Sequence, residues 1–223
     1  MSNTELARYQ DLIDNPTPRC PCILVLDTSG SMDGDPIHAL NDGVHTFIKA
    51  VQRDETARYA VEVSVITFGG NVQEVSPMTP VHQIEQIAPL QASGSTPMGE
   101  AVARALQRLE LRKQEYKQTG TSYYQPWIVI MSDGSPTDSW QGAAQQTSSA
   151  ENQGKLVVMP IAVGDGADLT TLSAFSGKRG AKQLKGLQFD AFFEWLSASM
   201  SRVSASTPGM KVSLPTATGW DSI

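Results

Sequence analysis

The stretch Cys20-Pro21-Cys22-Ile23-Leu24-Val25-Leu26-Asp27-Thr28-Ser29-Gly30-Ser31-Met32-Asp33-Gly34-Asp35-Pro36 decides the fold. Its apolar half shows no alternation with polar residues, the pattern of a strand buried on both faces of a parallel sheet. The run stops at Asp27, and a loop of small polar residues follows. Asp35 is suited to cap a helix and Pro36 to be its first residue. Beyond them Ile37, Leu40, Val44, Phe47, Ile48 and Val51 recur at spacings of three and four, which puts them on one apolar helix face.

The same alternation of elements continues outward. Residues 59–68 mostly alternate and are β-branched, which predicts a strand. Gly69-Gly70-Asn71 turns the chain, and residues 72–78 return as an antiparallel edge strand that tolerates Pro77. Pro97 opens a second long helix with Met98, Val102, Ala105, Leu106 and Leu109 inward. Its charged end, residues 108–117, reads as a solvated face. Residues 127–131 and 156–163 are further fully apolar strands. A polar helix over 140–153, a short helix over 168–175 and a short edge strand over 181–184 are expected. A last helix turns Phe189, Phe192, Phe193, Leu196, Met200 and Val203 inward. The expected fold is α/β and Rossmann-like: a central, mostly parallel six-stranded sheet with one antiparallel edge strand and helices on both faces. Residues 1–17 form an N-terminal arm with a helical turn near residues 5–12. Residues 18–204 form the domain, and residues 205–223 a Ser/Thr/Pro/Gly-rich tail. Trp220 is out of place in a loose tail; docking on the domain and contact with a partner are both open.

Composition narrows the function. The chain has 223 residues, 40% of them apolar and 18% charged, which excludes a disordered chain, a coiled coil and a collagen-like repeat. A net charge of −6 without any basic run makes nucleic acid and anionic membrane poor partners. The first 20 residues lack the features of a signal peptide, and no apolar run nears the ~18 residues of a membrane span. The expected location is cytoplasmic. Cys20 and Cys22 are too close for an unstrained disulfide and too few for a zinc site. They read as half-buried core thiols in a reducing compartment. His38 and His45 share a helix face but have no ligand at four-residue spacing. Met32, Met78 and Met98 read as packing residues. Residues 214–219 superficially match a sortase signal, but the spacing is one residue too long and no apolar tail follows.

In an open α/β sheet, ligands sit beyond the carboxyl ends of the strands. Three polar segments converge there: residues 27–31, Ser95-Thr96-Pro97 and Asp133-Gly134. They offer two carboxylates and several hydroxyls, with no His and no Cys. An all-oxygen set suits a hard cation, Mg²⁺ or Mn²⁺. Neutral hydroxyl ligands leave most of the ion's charge unneutralised, so it seeks one more anionic oxygen from outside. Asp33, Asp35, Asp138 and Asp165 read as caps and loop residues.

Asp27-x-Ser29-x-Ser31, then Thr96, then Asp133-Gly134 closely resemble the metal-ion-dependent adhesion site of von Willebrand factor A domains, over about residues 18–203. The lead-in over residues 15–21, the full string over residues 27–32 and the short length are similar to small bacterial TerY-like tellurium-resistance proteins. The resemblance implies that Ser29 and Ser31 bind the metal directly. Thr96 would bind it directly when a ligand is present and through water otherwise. Asp27 and Asp133 would act mostly through bound waters, and the sixth position would go to a Glu or Asp of a partner protein. One departure is that the family has Thr before the second-strand Asp; here Ser132 supplies the hydroxyl. The implied function is a divalent-metal-dependent protein-interaction module of a bacterial stress-response complex resisting tellurite, other toxic agents or phage, and not an enzyme. The alternative is a metal-assisted phosphohydrolase of haloacid-dehalogenase type with Asp27 as nucleophile. That chemistry wants a second Asp at position 29, where Ser stands. No phosphate loop and no GxSxG elbow is present.

Overall fold

A computed structural model describes residues 10–221. Its core is a six-stranded sheet in the order β3-β2-β1-β4-β5-β6. The strands are β1 (Cys20–Asp27), β2 (Val61–Gly69), β3 (Asn71–Pro80), β4 (Trp127–Ser132), β5 (Val157–Val163) and β6 (Lys182–Leu184). All neighbours are parallel except β2 and β3, which pair antiparallel through the hairpin at Gly70. The helices are α1 (Asp35–Arg53), α2 (Ala57–Ala60), α3 (Met98–Thr119), α4 (Gln141–Asn152), α5 (Leu169–Ala174) and α6 (Phe189–Ser204). The architecture is therefore the α/β fold expected from the sequence.

Period-two side chains split the apolar strands between two cores. Cys20, Cys22, Leu24 and Leu26 of β1 pack under α1 and α6, whereas Ile23 and Val25 pack under α3 and α4. The six inward residues expected for α1 are all buried, as are the six expected for α6. The chain builds outward from β1 to β2 and β3 on one side, then crosses to β4, β5 and β6 on the other. The switch in direction lies between β1 and β4, the point where an open sheet leaves a crevice at its carboxyl edge.

Several local expectations are corrected. The first long helix begins at Asp35, with Gly34 (φ 82°) at the cap position. Residues expected to start β2 instead form the turn α2, because the Asp54 carboxylate accepts from the N–H groups of Thr56 (2.9 Å) and Ala57 (2.8 Å). The cysteines are fully buried rather than half-buried. Burial pushes the Cys20 thiol up to about 12 and the Cys22 thiol up as well, so neither is a nucleophile at neutral pH. Of the expected helical turn in the N-terminal arm, residues 5–9 lie outside the described residues; residues 10–14 are helical.

The alternation in β2 and the charged end of α3 both conceal a buried polar network. Glu62 and Arg112 are buried, and Arg112 donates to Glu62 through Nε (2.8 Å) and Nη2 (2.7 Å). The buried Tyr116 hydroxyl donates to the same carboxylate at 2.5 Å, and Arg19 Nε lies 3.7 Å from it. Burial alone would lower the Arg112 pKa, but Glu62 holds it above the usual range; burial and the Glu62 charge push the Tyr116 phenol up. The face expected to be solvated thus supplies two of the network's members.

The segment after α6 packs back on the domain. Trp220 is 1% exposed, with its ring centroid 5.0 Å from that of Phe192 and 5.2 Å from that of Trp195. Trp195 Nε1 donates to the Pro215 carbonyl, and the Lys185 N–H to the Trp220 carbonyl. The choice left open for Trp220 falls on docking within its own chain.

Candidate metal centre

β1 and β4 are adjacent and parallel, so their last residues deliver Asp27 and Ser132-Asp133 side by side. The loop after β1 closes as a short 3-10 turn (Gly30–Met32), with the Met32 side chain buried in the α1–α6 core as its anchor. This lets Ser29 and Ser31 follow the strand end without strain: none of the described non-glycine residues has positive φ.

Four of the five expected site residues form one hydrogen-bonded cluster. Asp27 Oδ1 accepts from the Ser29 N–H at 2.8 Å, and its Oδ2 accepts from Ser132 Oγ at 2.5 Å. The Ser29 and Ser31 hydroxyls share a bond at 3.1 Å, and Ser31 Oγ donates to Asp133 Oδ1 at 2.8 Å. Asp27 is fully buried, Ser29 nearly so, Asp133 partly exposed and Ser31 exposed. The set therefore grades from core to solvent. Burial pushes the Asp27 carboxyl up; bonds from Ser132 and Ser29 pull it down, and the nearby Asp133 charge pushes it up again. Both Asp27 oxygens are engaged by protein donors, so Asp27 orients the loop, and Ser31 is the exposed hydroxyl residue of the cluster.

Thr96 reaches this place by a different route. Its loop is stitched to the first one by Ser93 N–H to the Thr28 carbonyl (2.8 Å) and Gly30 N–H to the Gly94 carbonyl (3.0 Å), and to the β2–β3 hairpin by Gly70 N–H to the Ser95 carbonyl (2.8 Å). Two glycines make that approach possible. A Cβ on Gly69 would lie 2.1 Å from the Thr28 oxygen, and one on Gly94, at φ +71°, 2.5 Å from Gly70 Cα. On its other side, the Thr96 N–H donates to Thr137 Oγ1 and its carbonyl accepts from the Thr137 N–H. Thr96 thus sits in a loop tied to both partners, although its own hydroxyl has no bond to the other four residues.

Thr137, Gly94 and Asp138 were missed as supports. Asp138, read from the sequence as a loop residue, accepts from the N–H groups of Gly99 (3.0 Å) and Glu100 (2.8 Å) and so caps α3 from the loop after β4. A capping residue 39 positions downstream of Gly99 leaves no local signal. Asp165 stays exposed, and His38 and His45 face solvent, as expected.

The donors fit a hard cation by chemistry. Hydroxyl and carboxylate oxygens make the cluster, and no group of three or more His, Cys, Asp or Glu among the described residues could hold a metal without those hydroxyls. Among the described residues, neither Asp27 nor Asp133 forms an ion pair with a cationic side chain, and the Asp133 charge adds to the cost of ionising Asp27.

The solved structures most like this one include a von Willebrand factor type A protein from Catenulispora acidiphila (TM-score 0.65, 15% identity, 83% of this chain and 43% of that one). A manganese-loaded TRAP protein from Plasmodium vivax is similar too (TM-score 0.57, 16% identity, 78% and 72%). So is the pilus adhesin SpaC from Lactobacillus rhamnosus GG (TM-score 0.63, 14% identity, 83% and 30%). At these identities the likeness is one of fold, and the chain spans less than half of the first and third. No curated protein matches the chain in sequence. The family model of the von Willebrand factor type A domain matches residues 22–189, three-quarters of the chain and every strand of the sheet, so the protein belongs to the von Willebrand factor type A domain family.

Proposed function

We propose that the chain is a divalent-metal-dependent protein-binding module whose metal takes an Asp or Glu from a partner. Von Willebrand factor type A domains commonly mediate protein–protein interaction or adhesion, often with a metal, and most are not enzymes. The observation that carries the reading here is the charge balance at the carboxyl edge. Asp27 and Asp133 meet hydroxyls and one backbone N–H there, but no cationic side chain among the described residues. Ser29, Ser31 and Thr96 would hold Mg²⁺ or Mn²⁺ through hydroxyls, with Asp27 and Asp133 anchoring it. A bound ion would supply an electrophilic position open to a carboxylate. Ser132 and the Ser29 N–H keep Asp27 fixed, and the exposure of Ser31 leaves the outer side of the cluster free for a partner.

The finer assignment is to a TerY-like stress-response complex acting in the cytoplasm. Its support is the string over residues 15–32. No described helix is long and apolar enough to cross a membrane. Calorimetric titration of Mg²⁺ and Mn²⁺ into the wild type and Asp27→Ala, with a phosphate-ester assay on the same samples, tests the reading. Binding in the wild type, none in a folded variant and no turnover in either is expected. Phosphate release that needs Asp27 would overturn it in favour of a phosphohydrolase.

A further inference from the structure

The opposite end of the sheet carries a basic cleft. A cleft of about 1110 Å³ opens where β4 and β5 begin, walled by α3, the end of α4 and the segment after α6. Lys113 and Lys117 come from α3, Lys155 from the turn after α4, Arg179 from the loop before β6, and Lys211 from the C-terminal segment. Glu110 is the acid among its lining residues. This is a marked segregation: the chain holds 17 Lys and Arg against 23 Asp and Glu, yet five of the former and one of the latter line this cleft. Two of the cations are compensated, Lys113 by Glu110 at 2.8 Å and Arg179 by Glu151. Lys117, Lys155 and Lys211 are exposed and form no ion pair among the described residues.

We propose that this cleft binds an acidic polypeptide segment, independently of the metal at the other pole. The cations come from four separate stretches of chain, so the positive charge is spread around the cleft instead of converging on a point, as a single phosphate would require. Apolar surface lies among the charges. Tyr123 lines the cleft, and Met210, 69% exposed, stands beside Lys211 at its rim. An exposed Met is an adaptable contact for side chains of varied shape. Carboxylates spaced along a peptide and interleaved with apolar residues match both features.

The test is fluorescence anisotropy with a labelled Glu/Tyr-rich peptide in excess chelator, which removes any contribution from the metal centre. Expected is binding that weakens with salt, persists in Asp27→Ala, and falls about tenfold or more in the triple variant K117Q/K155Q/K211Q. All three lysines are exposed, so the fold survives their change. A measurement on the unaltered protein stands beside it: carbodiimide coupling of the peptide's carboxylates, mapped by mass spectrometry, should mark Lys117, Lys155 and Lys211. The proposal fails if the peptide does not bind in chelator, if the triple variant binds as well as the wild type, if coupling falls elsewhere, or if single-stranded RNA displaces the peptide at lower concentration.

Discussion

Two polar clusters sit at opposite ends of one sheet, and they solve the burial of charge in opposite ways. At the amino end Glu62 is met by Arg112 in a two-pronged ion pair, by Tyr116 and at longer range by Arg19; Arg112 and Arg19 are in turn met by Glu115 and Asp11. That cluster pairs its buried carboxylate with cations of the same chain, although Arg19 Nε has no hydrogen-bond partner among the described residues. At the carboxyl end Asp27 and Asp133 have hydroxyls and a backbone N–H for company, and no cationic side chain among the described residues. A buried ion pair gains little over apolar packing but is costly to break. A carboxylate pair without a cation is costly as it stands and gains from a cation that arrives. The first arrangement is self-contained; the second is the one proposed above to take up a cation.

The comparison is broken most sharply at Glu62. Glu62→Ala leaves Arg112 and Tyr116 buried without their partner and should lower the unfolding free energy by about 3–5 kcal/mol in urea, with Mg²⁺ affinity of the folded protein unchanged. Metal linkage should give the mirror image. A concentration of Mg²⁺ 100 times its dissociation constant stabilises the wild type by about 2.7 kcal/mol, an increment that Glu62→Ala keeps and Asp27→Ala loses. Gly94→Ala sharpens the contrast within the metal end. Its Cβ would collide with Gly70 at 2.5 Å on a backbone of positive φ, so a cost of about 1–3 kcal/mol should come with weaker Mg²⁺ binding as the Thr96 loop lifts.

The smallest effect belongs to Glu151, a second acid with its own cation. Burial alone would raise its carboxyl pKa. The Ser176 hydroxyl, the Val158 N–H, Arg179 and the Lys178 N–H outweigh that and hold it below the usual range. A depressed folded-state pKa contributes stability that is complete above the unfolded value of about 4.3 and vanishes as pH falls through the folded one. Glu151→Gln should therefore be less stable than the wild type by about 1–2 kcal/mol at pH 7. The gap should close in melts carried out progressively below about pH 4. A gap that stays constant down to pH 2 would place the effect in packing.

The metal end was the more legible of the two in the sequence. Apolar runs such as residues 22–26 and 127–131 announce buried parallel strands by themselves, and their terminal aspartates mark the sheet edge. Parallel pairing then brings Asp27 and Asp133 together with nothing further needed. The amino-end network left no such trace. Glu62 sits where alternation suggests a wet face, and Arg112, 50 residues on, sits where a charge run suggests solvent. Each residue looks ordinary until α3 is laid over β2. Gly94 is equally silent, because its need for a bare Cα is set by Gly70, a residue of another loop.

The C-terminal segment has a consequence for how copies of this protein meet one another. An open sheet ends in two strands with unpaired backbone groups, each a template for another chain. On one margin β3 carries Pro77 and Pro80, and irregular register against β2 around residues 63–66 disturbs its pairing. On the other margin β6 has three residues, and the returning segment lies across its end through the antiparallel bridge between Leu184 and Asp221, reinforced by the Lys182–Asp221 ion pair at 3.1 Å. With Trp220 as its anchor, that segment lies where another strand would have to pair and so acts as a stopper against strand-to-strand aggregation.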